Sequence, residues 1–310
     1  MRAPDETDLQ IIEALRDDPQ VTNKAIAAQI GVAERTVAYR VRAMSEDHVM
    51  RVVAQKDIFK DGYELMCFTY VYAQGRAVAK IAEDIAAIPE VTSVSLGLGR
   101  PEFFVNMRAT DRKHLQTLIK NALGSIKGVQ LVRTEICLEI AKYVSGYGNL
   151  SGEVPTTAIS NGDRSKDQQI IDLLLTDGRI SNREIARRLE VSEANVRQRL
   201  RKMEEDKYMR LAVVCDAASM GIGAVSLVHL AISPNKIDRA FSRLVQFEQI
   251  SFLATTTGQY GAVALASTSQ QQELVELCDN EISLIDGVQN FSVYPIINTL
   301  KHRYDLIRIK

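Results

Sequence analysis

The sequence has no tryptophan, seven prolines, four cysteines and a net charge of only −1. Each shortage excludes something. The cysteines, Cys67, Cys137, Cys215 and Cys278, show no CxxC spacing. That argues against a disulfide framework or a zinc site and for reduced, buried thiols. No apolar run approaches the about 20 residues of a membrane span. The acidic start (Asp5, Glu6, Asp8) is unlike a signal peptide, so the expected setting is the cytoplasm, with no membrane partner. With charges balanced, no global basic field draws the chain to nucleic acid, and any such attraction must be local. GxSxG, Walker and HExxH motifs are missing, and the histidines (His48, His114, His229, His302) are scattered. No catalytic cluster, metal or cofactor is expected, and the chain is not read as an enzyme. His48 ends a helix and His229 lies in a predicted strand, where a satisfied structural histidine is the simpler reading.

What the sequence does have is itself, twice. Shifted by 159 positions, residues 8–145 fall on 167–304 without a gap. Of the first 44 pairs, 19 are identical, among them Ile11/Ile170, Leu15/Leu174, Ile26/Ile185, Val37/Val196, Arg40/Arg199 and Met44/Met203. Later landmarks persist at Asp57/Asp216, Gly99/Gly258, Gly128/Gly287 and Lys142/Lys301. So long a period is not a solenoid but a duplicated module of domain size.

Within each copy the hydrophobic period changes once. The stripes Ile11-Ile12-Leu15, Ile26-Ala27-Ile30 and Val37-Val41-Met44 predict three helices over residues 8–48, and copy two repeats them. Its second helix opens on Ser181-Asn182-Arg183-Glu184, a capping box, and its third follows Ser192. Beyond residue 49 the pattern predicts strands at 50–56, 65–74, 91–98, 102–109 and 129–140 around two helices. That is the ferredoxin-like βαββαβ order. The fold class is α+β: two winged-type helix-turn-helix domains and two ferredoxin-like domains in tandem. The boundaries are 1–52 and 53–143 for copy one, 144–163 for a flexible Gly/Ser/Thr/Asn-rich linker, and 164–211 and 212–304 for copy two.

The later two helices of each segment are joined by Ile30-Gly31-Val32-Ala33 and Leu189-Glu190-Val191-Ser192. So tight a turn marks a helix-turn-helix, whose second helix enters the major groove. Gly31 suits a positive φ, whereas Glu190 predicts a strained or altered turn. With Val196, Leu200 and Met203 inward, Ala194, Asn195, Arg197, Gln198 and Arg201 face out. Arg pairs with guanine, and Asn or Gln with adenine. Arg199 and Lys202 are placed to meet phosphates. In copy one the outward set is Arg35, Thr36, Ala38, Tyr39 and Arg42. Residues 4–51 hold six basic and nine acidic residues, against twelve and ten in 163–210. Phosphate attraction therefore favours copy two. The acidic balance of copy one also fits a segment that recruits a partner instead of DNA.

The stretches ISNREIARRLEVSEANVRQRLRKMEEDKYMR, VTNKAIAAQIGVAERTVAYRVRAMSEDHVMR and IPEVTSVSLGLGRPEFFVNMRATD resemble the Lrp/AsnC (feast/famine) transcription regulators. The resemblance covers nearly all the chain except the linker, although the usual member carries one copy. It implies a regulator of double-stranded DNA whose second (RAM) domain oligomerises and senses a small molecule, often an amino acid. The two halves are expected to form a fused pseudo-dimer that itself assembles into a homo-oligomer. Two reading heads would reach successive major grooves about 34 Å apart.

The family's effector loop matches Gly99-Arg100-Pro101-Glu102 in copy one, with Glu102 placed to receive an ammonium group. In copy two it matches Gly258-Gln259-Tyr260-Gly261, preceded by Thr255, Thr256 and Thr257. The plainer reading is a pair of hairpin turns. Arg100 favours an anionic ligand. Gly99, Arg100, Glu102, Thr256, Gly258, Gln259 and Tyr260 are the candidate effector residues. Sirohaem decarboxylases resemble the same architecture and provide the alternative reading. Their His-Tyr pair is expected in loops that here read Lys60-Asp61-Gly62-Tyr63 and Ser219-Met220-Gly221, without histidine.

Overall fold

The computed structural model describes residues 3–144, 146–148, 150 and 165–309. Copy one contains α1 (Glu6–Asp17), α2 (Asn23–Ile30), α3 (Glu34–Glu46), β1 (Met50–Asp57), β2 (Leu65–Ala73), α4 (Val78–Ala86), β3 (Val91–Gly97), β4 (Phe103–Ala109), α5 (Arg112–Thr117) and β5 (Val129–Tyr143). A π-helical stretch, Leu118–Leu123, continues α5. After β6 (Tyr147–Gly148), copy two repeats the order: α6 (Lys166–Thr176), α7 (Asn182–Leu189), α8 (Glu193–Glu205), β7 (Met209–Asp216), β8 (Ala224–Ile232), α9 (Ile237–Leu244), β9 (Ile250–Thr256), β10 (Gly261–Thr268), α10 (Gln271–Asn280) and β11 (Val288–His302). It closes with β12 (Leu306–Ile307). No helix among the described residues is long and apolar enough to cross a membrane.

The chain folds into two units that cut across its linear order. The first unit collects residues 1–57, 145–221 and 304–310, and the second collects 58–144 and 222–303.

In the first unit the predicted stripes form two helical cores. Ile11, Ile12 and Leu15 bury against Ile26, Val37 and Met44. Ile170, Ile171 and Leu174 do the same with Ile185, Val196 and Met203. Each such side chain contributes roughly 1.5–3 kcal/mol on leaving water. The connecting strands pair antiparallel with each other, from Met50↔Cys215 to Lys56↔Met209, in a sheet of order β12-β1-β7-β6. Val213 and Cys215 of copy two thereby join the core of copy one, and Ala54 of copy one joins that of copy two. Of the segment expected as a linker, residues 151–163 lie outside the described residues. Tyr147 and Gly148 are packed structure, pairing in parallel with β7. Leu150 is buried beside Val53, Val214 and Tyr304. Two ladder residues and one leucine are too few to show a period in sequence.

Glu190 accepts the backbone that glycine adopts in the other copy. Gly31 sits at φ 73° and Glu190 at φ 55°, so both helices end in the same left-handed cap. The turn keeps its shape and is strained in copy two, at roughly 1–2 kcal/mol for a residue with a Cβ. The expected capping box at Ser181 is half formed. Ser181 Oγ accepts from the Glu184 N–H. The Glu184 carboxylate turns away to Arg187 and Arg188, both at 2.7 Å, which hold its pKa down to about 2.

In the second unit copy one supplies the four strands β3-β4-β2-β5 and copy two β9-β10-β8-β11. The long last strand of each copy then pairs across the repeat, β5 with β9 and β11 with β3. Eight strands close into a barrel with no free edge. Helices α4 and α5 cover the copy-one half, and α9 and α10 cover the copy-two half. The barrel interior is filled by Met66, Phe68, Tyr70, Phe104, Leu227, Phe252 and Val263. The repeated lysines lock the halves together. Lys142 Nζ donates to the carbonyls of Val245 and Phe247 at 3.0 and 2.8 Å. Lys301 Nζ donates to those of Ala86 and Ile88 at 2.8 and 3.2 Å. Each lysine caps the helix end of the other copy.

Candidate functional sites: the reading helices and the barrel interior

The helical unit presents the two candidate reading helices, α3 and α8. On α8, Val196, Leu200 and Met203 are buried, while Ala194, Arg197, Gln198, Arg201 and Lys202 are exposed. Ser192 caps the helix by accepting from the Asn195 N–H at 3.1 Å. Asn195 is half-buried, and its side-chain oxygen accepts from Arg199 Nε at 3.0 Å. Arg199, expected at phosphate, is engaged within its own domain. Its guanidinium lies 2.7 Å from Asp167 and ties α8 to α6. The repeat mate Arg40 does the same with Asp5 and Asp8, at 2.7 and 2.9 Å. Arg197 pairs with Glu193 at 2.9 Å on the surface, a weak pair that phosphate can displace. On α3, Arg35, Tyr39 and Arg42 are exposed (Tyr39 by 73%) and Thr36 is half-buried. Arg42 is paired with Glu46.

One tie between the copies has no sequence signal. Arg179 Nη2 donates to the Val21 carbonyl and to Asn23 Oδ1, both at 3.0 Å. The matching residue of copy one is Gln20, so the tie is one-sided.

The effector-loop residues divide. In copy one, Gly99 takes φ 108°. Arg100 Nε lies 3.3 Å from Glu102 Oε1, and the Arg100 guanidinium lies 6.0 Å from the centre of the Tyr72 ring. Glu102 Oε2 accepts from the Ala73 N–H at 2.9 Å. The carboxylate expected to receive an ammonium group is thus engaged by its own loop and the neighbouring strand. In copy two, Gln259 is exposed. Thr256 Oγ1 donates to Glu135 Oε2 at 3.3 Å. Gly258 presses so close to Glu135 that a Cβ would meet its carboxyl carbon at 1.9 Å. Tyr260 shares a hydrogen bond with Ser292 at 2.7 Å.

These copy-two contacts lead to a buried polar cluster that spacing along the chain does not reveal. Tyr70 OH lies 3.3 Å from Glu135 Oε2 and 2.5 Å from His229 Nε2. Tyr70 and His229 are repeat mates, 159 residues apart. The Arg133 guanidinium lies over the Tyr70 ring at 4.5 Å. The rings of Tyr260 and Tyr294 flank His229 at 5.5 and 4.9 Å. Burial, with the Arg133 charge, pushes the His229 pKa down to about 4, so the imidazole is neutral at pH 7. Burial and the Glu135 charge push the Tyr70 phenol up. His229 is only half the satisfied structural histidine expected, because its Nδ1 is buried without a hydrogen-bond partner among the described residues. The available sequence signal was polar residues on inward strand positions, at sites where the two copies differ. No group of side chains among the described residues is arranged to hold a metal.

These features define a duplicated helix-turn-helix protein with a barrel-forming second domain. The Lrp/AsnC ligand binding domain matches residues 66–146 and 225–306. The AsnC-type helix-turn-helix domain matches 165–204, and a winged helix-turn-helix DNA-binding domain matches 4–49. The chain belongs to the Lrp/AsnC family. It is 30% identical to the HTH-type transcriptional regulator FL11 of Pyrococcus horikoshii over 144 residues, 46% of this chain and 95% of that one. It is 28% identical to the HTH-type transcriptional regulator Ptr1 of Methanocaldococcus jannaschii over 136 residues, 44% of this chain and 92% of that one. Each relative spans about one copy. The crystal structure of the siroheme decarboxylase NirDL matches at 14% identity with a TM-score of 0.65, covering 96% of this chain and 93% of that one. This likeness is one of fold.

Proposed function

We propose that this chain is a sequence-specific DNA-binding transcription regulator that carries two reading heads in one molecule. The supporting observation is α8, whose apolar face is buried while Arg197, Gln198, Arg201 and Lys202 are exposed on the opposite side. Arg197, Gln198 and Asn195 would read base edges, and Arg201 and Lys202 would meet base or phosphate. In α3, Arg35, Thr36, Tyr39 and Arg42 would form the second, weaker head. The two ligand-binding domains act as ferredoxin-like halves of an intramolecular pseudo-dimer. They take a small effector near the loops that carry Gly99, Arg100 and Glu102, and Thr256, Gly258, Gln259 and Tyr260. The chain would assemble further into homo-oligomers. Unequal heads imply an asymmetric operator, since operator symmetry mirrors protein symmetry. Selection of bound DNA from a random pool, followed by footprinting, tests this. Recovered sites that are perfect palindromes would refute the asymmetry, and recovery of none would refute the regulator.

A second reading, a tetrapyrrole-processing enzyme, rests on the buried Tyr70–His229 pair and Arg133. The loops at 60–63 and 219–221 hold no such pair, and this one lies inside the barrel. Titration with an iron porphyrin, followed by visible absorbance, separates the readings. Saturable binding together with failure to retard DNA would favour the enzyme.

A further inference from the structure

The barrel cluster contains two buried atoms whose hydrogen-bonding capacity is unmet among the described residues. Arg133 Nε lies 4.0 Å from Glu135 Oε1, an ion pair too long for a hydrogen bond, and it has no acceptor among the described residues. The Arg133 side chain as a whole remains 40% exposed, so the guanidinium reaches from solvent into the cluster. The second is His229 Nδ1. Tyr70 has a single hydroxyl proton, and it is placed to go to Glu135. Tyr70 then accepts from His229 Nε2–H, and the neutral imidazole presents Nδ1 as a bare acceptor. A buried acceptor with no donor is costly to keep, and an N–H or O–H of a bound ligand would satisfy it. The interior therefore offers a partly exposed cation at Arg133 and an unmatched acceptor on His229, whose ring lies 5.5 and 4.9 Å from those of Tyr260 and Tyr294.

We propose that this cluster is a binding site, one per chain, for a small α-amino or α-hydroxy carboxylic acid. The carboxylate sits on Arg133. The adjacent amine or hydroxyl donates to His229 Nδ1, and Glu135 balances an ammonium charge. The side chain packs between Tyr260 and Tyr294. The inference rests on the effector half of the function proposed above and locates it where the copy-two loop, through Tyr260, meets Arg133, Glu135 and His229. A second, symmetric site is excluded by divergence. Ser292 and Tyr294 occupy the positions that match Arg133 and Glu135, and Tyr70 occupies the one that matches His229.

Calorimetry on the full chain tests this with L-phenylalanine, L-leucine and L-glutamate and with their 2-hydroxy counterparts. At least one of the six is expected to bind at one site per chain and to shift the His229 ring resonances in NMR spectra of the wild-type protein. Arg133→Gln is expected to weaken that probe at least about tenfold, or 1.4 kcal/mol. Lys80→Ala, on the solvent face of α4, is expected to leave it unchanged. Preference for the amino over the hydroxy acid assigns the ammonium form, and the reverse assigns the hydroxyl form. The proposal is overturned if none of the six binds, if two bind per chain, or if Arg133→Gln has no effect. DNA retardation is measured in parallel. A chain that retards DNA but binds no probe loses this site alone. One that binds a probe at Arg133 without retarding DNA keeps the site and loses the regulator.

Discussion

Tyr70 and His229 hold the same position in the two copies, and they meet inside the barrel through one hydrogen bond. An ancestral symmetric pair at this point would place two identical side chains in contact. Here the contact joins a phenol to an imidazole, so the centre of the pseudo-dimer is chemically asymmetric.

The burial of His229, with the Arg133 charge beside it, carries a pH dependence. The folded chain keeps His229 neutral down to about pH 4, whereas an unfolded histidine titrates near 6.5. Between those values the unfolded state binds the extra proton, so stability falls as pH falls through this window and levels below it. The full difference is roughly 3 kcal/mol. Denaturation curves across the window should show this slope in the wild type and a flatter one in His229→Gln. Parallel slopes in the two proteins would rule out His229 as the source.

Lys142 and Lys301 should be energetically equivalent. Replacing either with Met strips a charged donor from two carbonyls at a helix end of the other copy, at an expected cost of about 1–3 kcal/mol each. The two sites share no partner, so the double variant should be close to additive. Urea unfolding gives the comparison. A cost confined to one lysine would contradict the reciprocal arrangement.

The left-handed caps make opposite predictions for the two turns. Glu190→Gly relieves backbone strain but adds unfolded-state freedom, for a net gain of about 0.5–1 kcal/mol. Gly31→Ala should destabilise by about 1 kcal/mol, although a Cβ there meets nothing within 4 Å. Thermal melts of both variants decide the matter, and stabilisation by Gly31→Ala would be the contrary result.

The reading heads should contribute unequally. Arg201→Ala with Lys202→Ala should weaken operator binding more than Arg35→Ala with Arg42→Ala. Removing one phosphate-binding side chain should reduce the salt slope by about one. Fluorescence anisotropy at several salt concentrations measures both effects. If the copy-one pair changes nothing, the result favours a segment that recruits a partner over one that binds DNA.

Helix and strand positions were legible because each stripe has one buried face, as at Ile170-Ile171-Leu174 or along β2. The strain at Glu190 was legible because only a few residues tolerate positive φ. Legibility stopped where a residue's role depends on a distant partner. Arg199 looks like a phosphate contact on any helical wheel, yet Asp167 claims it. Glu102 looks like an ammonium acceptor until the Ala73 amide and Arg100 occupy it. Leu150 lies in a stretch whose composition reads as spacer, and Val53, Val214 and Tyr304 bury it.

The sequence by itself determined the duplication, the local elements of each copy and the divergence of their outward faces. These are properties of neighbouring residues and of a fixed shift of 159. Only the tertiary structure decided that the copies interleave: β1 pairs with β7, β5 with β9 and β11 with β3. Strand pairing is carried by backbone hydrogen bonds that any residue but proline can make, so the pattern of side chains says which face is buried and not which chain segment lies alongside. That pairing is what brings Tyr70 to His229 and Glu135 to Thr256.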